Sequence, residues 1–140
     1  MLSSTNARVA PAYAPATAPF PQLHLLGNGG LSSWVSDGGG GGLFWRGQAL
    51  TRFVPDTVRD AQGLWIYIFD EESRNVWSAT GQPTGNAPND YRVLFQPHLA
   101  EFQRREQQIL TTLEVAVAAG VDLETRRLVI VNESDRLRRL

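Results

Sequence analysis

The chain has 140 residues and no cysteine, and its 13 basic and 14 acidic residues give a formal net charge of -1. This length allows one domain with a substantial core, and the near-neutral charge gives no general attraction to nucleic acid or anionic lipid, so neither is an expected partner. Every basic residue is arginine, so the composition excludes lysine-dependent Schiff-base and phosphate-loop chemistry, as well as thiol nucleophiles and thiolate metal sites.

The N-terminal stretch of residues 1–21 is rich in proline and alanine. Its four prolines are Pro11, Pro15, Pro19 and Pro21. Each proline fixes φ and removes a backbone donor, which disfavours a helix or a central strand. The composition therefore predicts a flexible arm over residues 1–21 and a folded domain over residues 22–140.

Five consecutive glycines at positions 38–42 form a second biased segment. They are followed by Leu43, Phe44 and Trp45, whereas a phosphate loop needs spaced glycines and a helix after them. A run without side chains also costs much backbone entropy to order. These glycines are therefore predicted to form a mobile hairpin loop.

Apolar or alternating stretches predict β-strands along the rest of the chain. Residues 64–69, LWIYIF, are apolar without interruption, which favours a strand buried on both faces. Residues 91–95 and Ile109–Val117 alternate with a period of two. Residues 128–131 are apolar again, and residues 136–140 resemble the start of a further strand, so the pattern is expected to be cut short where the chain ends.

Residues 99–113 have two possible structures. They are rich in alanine, glutamate, glutamine and arginine, which are helix formers. We favour two strands with a turn near residues 106–108, because the threonines and the alternation that follow are typical of a sheet. Short strands at close spacing, separated by turn residues, then predict an all-β chain folded as an antiparallel β-sandwich.

The residue pattern contains no recognisable catalytic constellation. His24 and His98 lie in unrelated segments without the spaced partners that a metal site needs, so a structural or surface role is favoured and no metal or cofactor is predicted. The carboxylates lie mostly at turns and strand ends, and the serines lack a nucleophile-elbow context. No catalytic residue is therefore assigned in this chain.

Two segments combine aromatic rings with planar polar groups. WRGQALTRF begins at Trp45, and WSATGQPTG begins at Trp77. An indole beside arginine or glutamine can stack on the apolar face of a pyranose while the polar groups bond its hydroxyls. For Trp45 and Trp77, sugar contact and core packing are about equally favoured, whereas Trp65 is predicted to lie in the core.

In order along the chain, WRGQALTRF, LWIYIFDEESRNVWSATGQPTG and YRVLFQPHLAEFQRREQQILTTLEVAVAAGVDLETRRLVIVNES resemble the β-sandwich domain that precedes the catalytic barrel in glycoside hydrolase family 94. The likeness is in particular to its cyclic β-1,2-glucan synthases and 1,2-β-oligoglucan phosphorylases. It implies a supersandwich of the galactose-mutarotase-like kind, followed by an (α/α)6 barrel that carries the catalytic acid. Because the family's sandwich needs further strands after residue 140, a truncated sandwich is expected.

The resemblance implies a non-catalytic domain that packs on a downstream (α/α)6 barrel, shapes its sugar cleft and supports a homodimer, with a β-glucan oligosaccharide as a further partner. The residues assigned to the carbohydrate or barrel interface are Trp45, Arg46, Arg52, Trp77, Gln82 and Tyr91. The alternatives are a free-standing sugar-binding or mutarotase-like module and a structural interaction domain without sugar contact. The isolated chain is expected in the cytoplasm, and the parent protein at the inner membrane.

Overall fold

The computed structural model describes residues 20–52, 62–84 and 90–140. All but the last two residues of the predicted arm lie outside these described residues. In the described parts of the chain the regular elements are β1 (Leu23–Gly27), β2 (Leu31–Ser36), β3 (Gly41–Trp45), β4 (Gln48–Ala49), β5 (Tyr67–Phe69), β6 (Val76–Ser78), β7 (Asp90–Gln96), β8 (Leu99–Glu106), β9 (Ile109–Val117) and β10 (Glu124–Asn132). All of their pairings are antiparallel, so the predicted fold class is confirmed.

The strands form three groups. β1, β2, β3 and β4 pair in that order in a four-stranded sheet, here the N-sheet. β10, β9, β8 and β7 pair in a second four-stranded sheet, here the C-sheet, and β5 with β6 forms a two-stranded ribbon. Because neighbours in space are neighbours in sequence, each group is a series of hairpins.

The apolar core lies between the two sheets and includes one side of the ribbon. Ile109, Leu113 and Val115 of β9 are buried there, in one cluster with Val35 of the N-sheet and Trp77 of the ribbon. The period of two predicted for β9 produces this arrangement, because alternate side chains of a strand point to the same face.

The burial of two tryptophans differs from the prediction. The Trp77 ring is 0 % exposed, so it presents no face to a sugar or to a barrel, and its assignment to a surface site is corrected. Trp65, predicted to lie in the core, is only partly buried and lines an open groove. The reason is their position: Trp77 pairs with the buried Ile68 inside the ribbon, whereas Trp65 precedes the ribbon.

The segment that could have been a helix forms β8 and β9, as predicted. The two residues between these strands, Gln107 and Gln108, both have positive φ, 47° and 64°. This is the backbone form that two-residue hairpin turns need, although glutamine is unusual there. Two bonds from later in the chain satisfy the carbonyls of the turn: Glu133 N donates to Gln108 O at 2.8 Å, and Arg138 Nη1 donates to Gln107 O at 3.1 Å.

Two strand predictions are wrong in part or in whole. The apolar run at residues 64–69 contributes only Tyr67–Phe69, and Tyr67 and Phe69 are exposed because only one side of the ribbon packs on the core. Residues 136–140 form no strand. They cross to the ribbon instead, where Arg139 O accepts a 3.1 Å hydrogen bond from Glu71 N.

His24 has the structural role that was favoured for it. Its ring stacks on Phe95 at a centroid distance of 4.9 Å, and its Nε2 donates to Gln96 O at 2.7 Å. His24 thereby joins β1 of the N-sheet to β7, an edge strand of the C-sheet. His98 is exposed in the turn between β7 and β8.

The glycine run forms the predicted hairpin, between β2 and β3, but it is buried and bonded rather than mobile. Gly41 and Gly42 belong to β3, and Gly39 and Gly40 are buried before it. Gly40 N donates to Ser36 Oγ at 2.9 Å. Gly39 has a φ of 93°, and a Cβ built there would overlap the side chain of Thr80. The glycine therefore allows both the turn and the close approach of residue 80.

Alanine substitutions can separate the two reasons for glycine at position 39, which are its positive φ and the close approach of Thr80. Gly29 has a similar φ, 94°, but no atom lies within 4 Å of a Cβ built there. We expect Gly29→Ala to lower the free energy of unfolding by about 1 kcal/mol for its backbone conformation alone. Gly39→Ala should lower the free energy of unfolding by about 2 to 4 kcal/mol, because overpacking against Thr80 adds to the cost of the positive φ. Urea denaturation measures both, and equal losses would contradict the packing argument.

Candidate functional site

Three turns meet at one end of the sandwich, and we call this the three-turn end: residues 28–30, residues 46–47 and residues 118–123. Asn28 joins two of the turns. Its Oδ1 accepts from Gly30 N at 2.9 Å and Leu31 N at 2.8 Å, while its Nδ2 donates to Ala118 O and Val121 O at 3.0 Å each. One amide therefore shapes its own turn and holds a turn of the opposite sheet.

Trp45 lies at this end, at the last position of β3, and the residue is 37 % exposed. Its Nε1 donates to Asp122 Oδ2 at 2.6 Å, and the Arg46 guanidinium carbon lies 4.7 Å from the ring centroid. Arg46 and Gly47 have φ values of 47° and 82°, which give a two-residue hairpin turn. The turn therefore places a cation over the ring while the anion of Asp122 holds the ring edge.

Arg52 lies apart from this arrangement, on an open groove of about 630 Å³. The residues that line the groove are Leu50, Thr51, Arg52, Gln62, Gly63, Leu64 and Trp65. Thr51 is fixed there because Leu43 N donates to its Oγ1 at 2.9 Å. The groove combines exposed apolar side chains with a guanidinium, so Arg52 stays in the candidate set, beside Trp65 rather than Trp45.

Gln82 and Tyr91 lie at the other end of the β2–β3 hairpin, which we call the glycine-hairpin end. Gln82 N donates to Gly38 O at 2.8 Å, and its side chain is exposed. The Tyr91 hydroxyl donates to Asp37 O at 2.7 Å. The two aromatic segments are therefore not brought together: Trp45 and Arg46 lie at one end of the hairpin, and Gln82 and Tyr91 lie at the other.

A buried arginine organises the glycine-hairpin end. Arg104 is 0 % exposed, donates from Nη1 to Thr80 O at 2.7 Å, and meets Glu106 Oε2 at 3.1 Å through Nη2. Sequence analysis missed this residue. The sequence pattern could have identified it, because Arg104 follows Ala100 and Phe102 in the period-two alternation of β8. This alternation places the arginine side chain on the inner face of the strand.

A second buried ion pair, also missed, joins the ribbon to the C-terminal segment. Asp70 and Arg138 are both almost fully buried and bonded to each other. Asp70 also accepts from Ser73 Oγ at 2.6 Å and from Glu72 N at 3.1 Å. The Ser73 hydroxyl first, and then Arg138 and the Glu72 N–H, lower the pKa of Asp70 from 3.8 to about 2. Asp70 is thus held as a carboxylate.

Other ionised groups are also held in pairs. Arg127 bonds Glu114 through two hydrogen bonds of 2.7 and 2.8 Å and lowers the pKa of that carboxyl. Arg105 likewise lowers the pKa of Glu133. In the described residues, no group of three His, Asp or Glu side chains is placed to hold a metal ion. The same residues include no helix long and apolar enough to cross a membrane.

Comparison with known proteins gives one family. Residues 8–140 match the family model of the glycosyl hydrolase 94 supersandwich domain. Over 109 residues, which are 77% of this chain, the sequence is 36% identical to cyclic beta-(1,2)-glucan synthase NdvB of Rhizobium meliloti (strain 1021). Over 125 residues, 86% of this chain, it is 27% identical to N,N'-diacetylchitobiose phosphorylase of Vibrio proteolyticus and 28% identical to that of Vibrio furnissii.

The matched region is a small part of each relative. It covers 4% of the glucan synthase and 16% of each phosphorylase. The similarity therefore concerns one domain of much longer proteins.

The lowered pKa of Asp70 predicts an acid-sensitive stability. The folded-state pKa, about 2, lies below the ordinary value of 3.8, so the unfolded state binds more protons between these values. The stabilisation is present above about pH 4 and is lost as the pH falls through 2. Asp70→Asn should flatten the fall of the urea midpoint between pH 4 and pH 2, and Ser73→Ala should flatten it in part.

Ser134→Ala is the matched control, because this hydroxyl bonds to Asn132 and Arg136 and not to a carboxylate. It should keep the wild-type pH profile. An unchanged profile in Asp70→Asn would show that the pair does not link folding to protonation.

Proposed function

This chain belongs to the glycosyl hydrolase 94 supersandwich-domain family, and on that premise we propose that it is a non-catalytic module that packs on a catalytic barrel and shapes the rim of its sugar cleft. The exposed indole of Trp45, held between Arg46 and Asp122, is the observation that carries the proposal. It combines an apolar ring with charged groups that can bond hydroxyls, as sugar recognition requires.

The rigidity of the three-turn end supports this role. Asp122 fixes the ring edge from the opposite sheet, and Asn28 fixes the turn on which Asp122 lies. A side chain that is already held loses little conformational entropy when it binds a ligand or a partner domain. The three-turn end is therefore suited to form a preorganised rim.

Apolar side chains beside Trp45 supply a surface for packing. Val121 and Leu123 flank Asp122 in the turn between β9 and β10, and they are 58% and 48% exposed. Exposed apolar groups next to a polar contact set are typical of the centre of a protein interface. Packing of a barrel against this turn would bring Trp45 to the edge of the barrel's cleft.

The electrostatics of the domain support a non-catalytic role. A general acid for glycoside cleavage needs a raised pKa, so that it stays protonated at neutral pH. The pKa values of Asp70, Glu114 and Glu133 are shifted the opposite way, by hydrogen bonds and arginine partners. These carboxylates stabilise the fold and are not prepared to donate a proton.

A β-glucan is the sugar class that we propose for the cleft. The relative with 36% identity is named for cyclic beta-(1,2)-glucan synthesis, and the relatives with 27% and 28% identity are named for N,N'-diacetylchitobiose phosphorolysis. The higher identity favours β-1,2-linked glucose over chitobiose. The free-standing sugar-binding module remains the second candidate, because Trp45 could also contact sugar without a barrel.

Sugar contact by Trp45 is testable on the chain alone. Titration with β-1,2-glucan oligosaccharides should change the tryptophan fluorescence, and Trp45→Phe should remove most of this change and weaken binding about 2- to 10-fold, since part of an aromatic contact is lost. Trp34→Phe, in the middle of β2, is the matched control and should keep the response. A flat wild-type trace would contradict sugar contact by Trp45 and favour the scaffold role alone. Glucose 1-phosphate formed by the chain with phosphate and glucan would contradict the non-catalytic role.

Barrel packing is testable with a separately expressed (α/α)6 barrel of the same family. Val121→Asp or Leu123→Asp should weaken its binding to the chain about tenfold or more, because a charge would replace a buried apolar contact. Leu25→Asp, on the exposed first strand of the N-sheet, should leave the affinity unchanged. Calorimetric titration measures all three, and equal affinities would place the barrel contact elsewhere.

A further inference from the structure

We propose that Arg138 bridges the β5–β6 turn and the β8–β9 turn, so that these two turns open together as one local unit while the sheets stay folded. The inference goes beyond the proposed function and does not depend on it. The β8–β9 turn lies at one end of β9 and the turn that holds Trp45 lies at the other end, so neither a sugar nor a barrel is involved.

The β8–β9 turn has a backbone form that its own residues do not favour. Gln107 and Gln108 have φ values of 47° and 64°, in the left-handed region where a Cβ crowds the following carbonyl oxygen. Two-residue turns of this form normally contain asparagine and glycine. The turn therefore depends on support from outside its own hairpin.

Residues after β10 supply this support. Glu133 N donates to Gln108 O at 2.8 Å, which extends the pairing of β10 with β9 by one residue. Arg138 Nη1 donates to Gln107 O at 3.1 Å. Both carbonyls of the turn therefore accept a hydrogen bond from a residue that lies outside the hairpin.

The β5–β6 turn fixes the same guanidinium from the other side. Arg138 Nη2 donates to the Asp70 carboxylate, and the two side chains are 2% and 0% exposed. Asp70 also organises its own turn: its carboxylate accepts from Ser73 Oγ at 2.6 Å, and its carbonyl accepts from Arg74 N at 2.9 Å. Arg138 thus contacts both turns, one through each terminal nitrogen.

The Arg138 bridge sets a geometry with little gain in stability. Lost hydration offsets much of the attraction in a buried ion pair, and the Arg138 Nε is buried without a hydrogen-bond partner among the described residues. Among the same residues, the apolar core cluster reaches no further along the chain than Leu128, so it does not include the segment of Arg138. Segments with few apolar contacts open at a lower free energy than the core does. The bridge should therefore open before the sheets unfold.

Opening of the bridge releases both turns. The β8–β9 turn loses the donor to Gln107 O, so its unfavourable φ values are no longer supported. The β5–β6 turn loses Arg138 and the 3.1 Å bond from Glu71 N to Arg139 O. Because both losses follow from one motion, a change in either turn shifts the opening equilibrium of the other.

Amide hydrogen exchange of the chain measures this opening. The reporters are Glu133 N–H for the β8–β9 turn, Glu71 N–H for the β5–β6 turn and Leu113 N–H for the core strand β9. After correction for intrinsic rates, the two turn reporters should exchange at similar rates, about a hundredfold faster than Leu113. Exchange of Glu133 as slow as that of Leu113 would overturn the proposal, because no separate local unit would then exist.

The Asp70→Asn variant tests whether the two turns are coupled. It weakens the bridge from the ribbon side, so it should speed exchange at both Glu133 and Glu71 by about tenfold or more. In a chain that already carries Arg138→Gln, it should add nothing further at Glu133, because the connection is gone. An effect on Glu71 alone would contradict the coupling. Glu72→Gln, which removes only an exposed ion pair, is the matched control and should leave both rates unchanged.

The sequence of the β8–β9 turn allows a test from the other side. Gln107→Asn combined with Gln108→Gly gives this turn residues that favour its form. In the Arg138→Gln chain, the two changes should restore slow exchange at Glu133 and leave Glu71 fast, because only the β8–β9 turn no longer needs the bridge. If Glu133 stays as fast as Glu71, the bridge does not act by supporting this turn, and the proposal fails.

Circular dichroism shows whether each variant folds. If Arg138→Gln does not fold, Arg138→Lys takes its place, because one ammonium keeps the charge beside Asp70 and cannot place a second donor nitrogen on Gln107 O. It should keep Glu71 slow and speed Glu133 by about tenfold, whereas wild-type rates at both would overturn the proposal. The fluorescence response of the chain to glucan should be unchanged in all of these variants, so this inference and the proposed function can fail separately.

Discussion

Burial of the Trp77 ring between the sheets is the constraint on which the rest of the domain depends. The ribbon has only two short strands, and such a unit is stable only when one face packs on a larger core. Trp77 and Ile68 supply that face. Once they are buried, the next residues of the chain follow into the interior, and Thr80 reaches the surface of Gly39 and the guanidinium of Arg104.

This constraint also explains why the domain has two different ends. At the glycine-hairpin end, polar groups form hydrogen bonds that hold the ribbon and the two sheets together. The Tyr91 hydroxyl and the backbone N–H of Gln82 both bond to the β2–β3 hairpin and thereby stabilise the fold. At the three-turn end the turns hold each other, and the ring of Trp45 stays partly exposed. Two segments of similar composition therefore differ in role, because one enters the core and the other ends at a turn.

The sequence predicted a strand correctly where the pattern of its own residues is sufficient to identify it. The alternation of Ile109–Val117 identified β9 to the residue, because the period of two is a property of the strand itself. The apolar run before Asp70 could not show that one side of the ribbon faces solvent, since that depends on the packing of distant strands. Trp65 and Trp77 have the same chemistry, and only the fold determines which is buried. The same holds for the bonds from Arg104 to Thr80 and from Arg138 to Asp70, which join residues 24 and 68 positions apart in the chain.

The contacts that close the sandwich have a consequence for how the chain folds during synthesis. Three bonds that join the sheets, from Asn28 to Ala118, from Ser33 to Glu124 and from Trp45 to Asp122, span 90, 91 and 77 residues. The hairpins of the N-sheet can form early from neighbouring segments, but they stay uncovered until residues 118–124 have left the ribosome. The turn between β9 and β10 therefore completes these three contacts between the sheets, and the N-sheet hairpins are exposed to wrong partners until that turn has been synthesised.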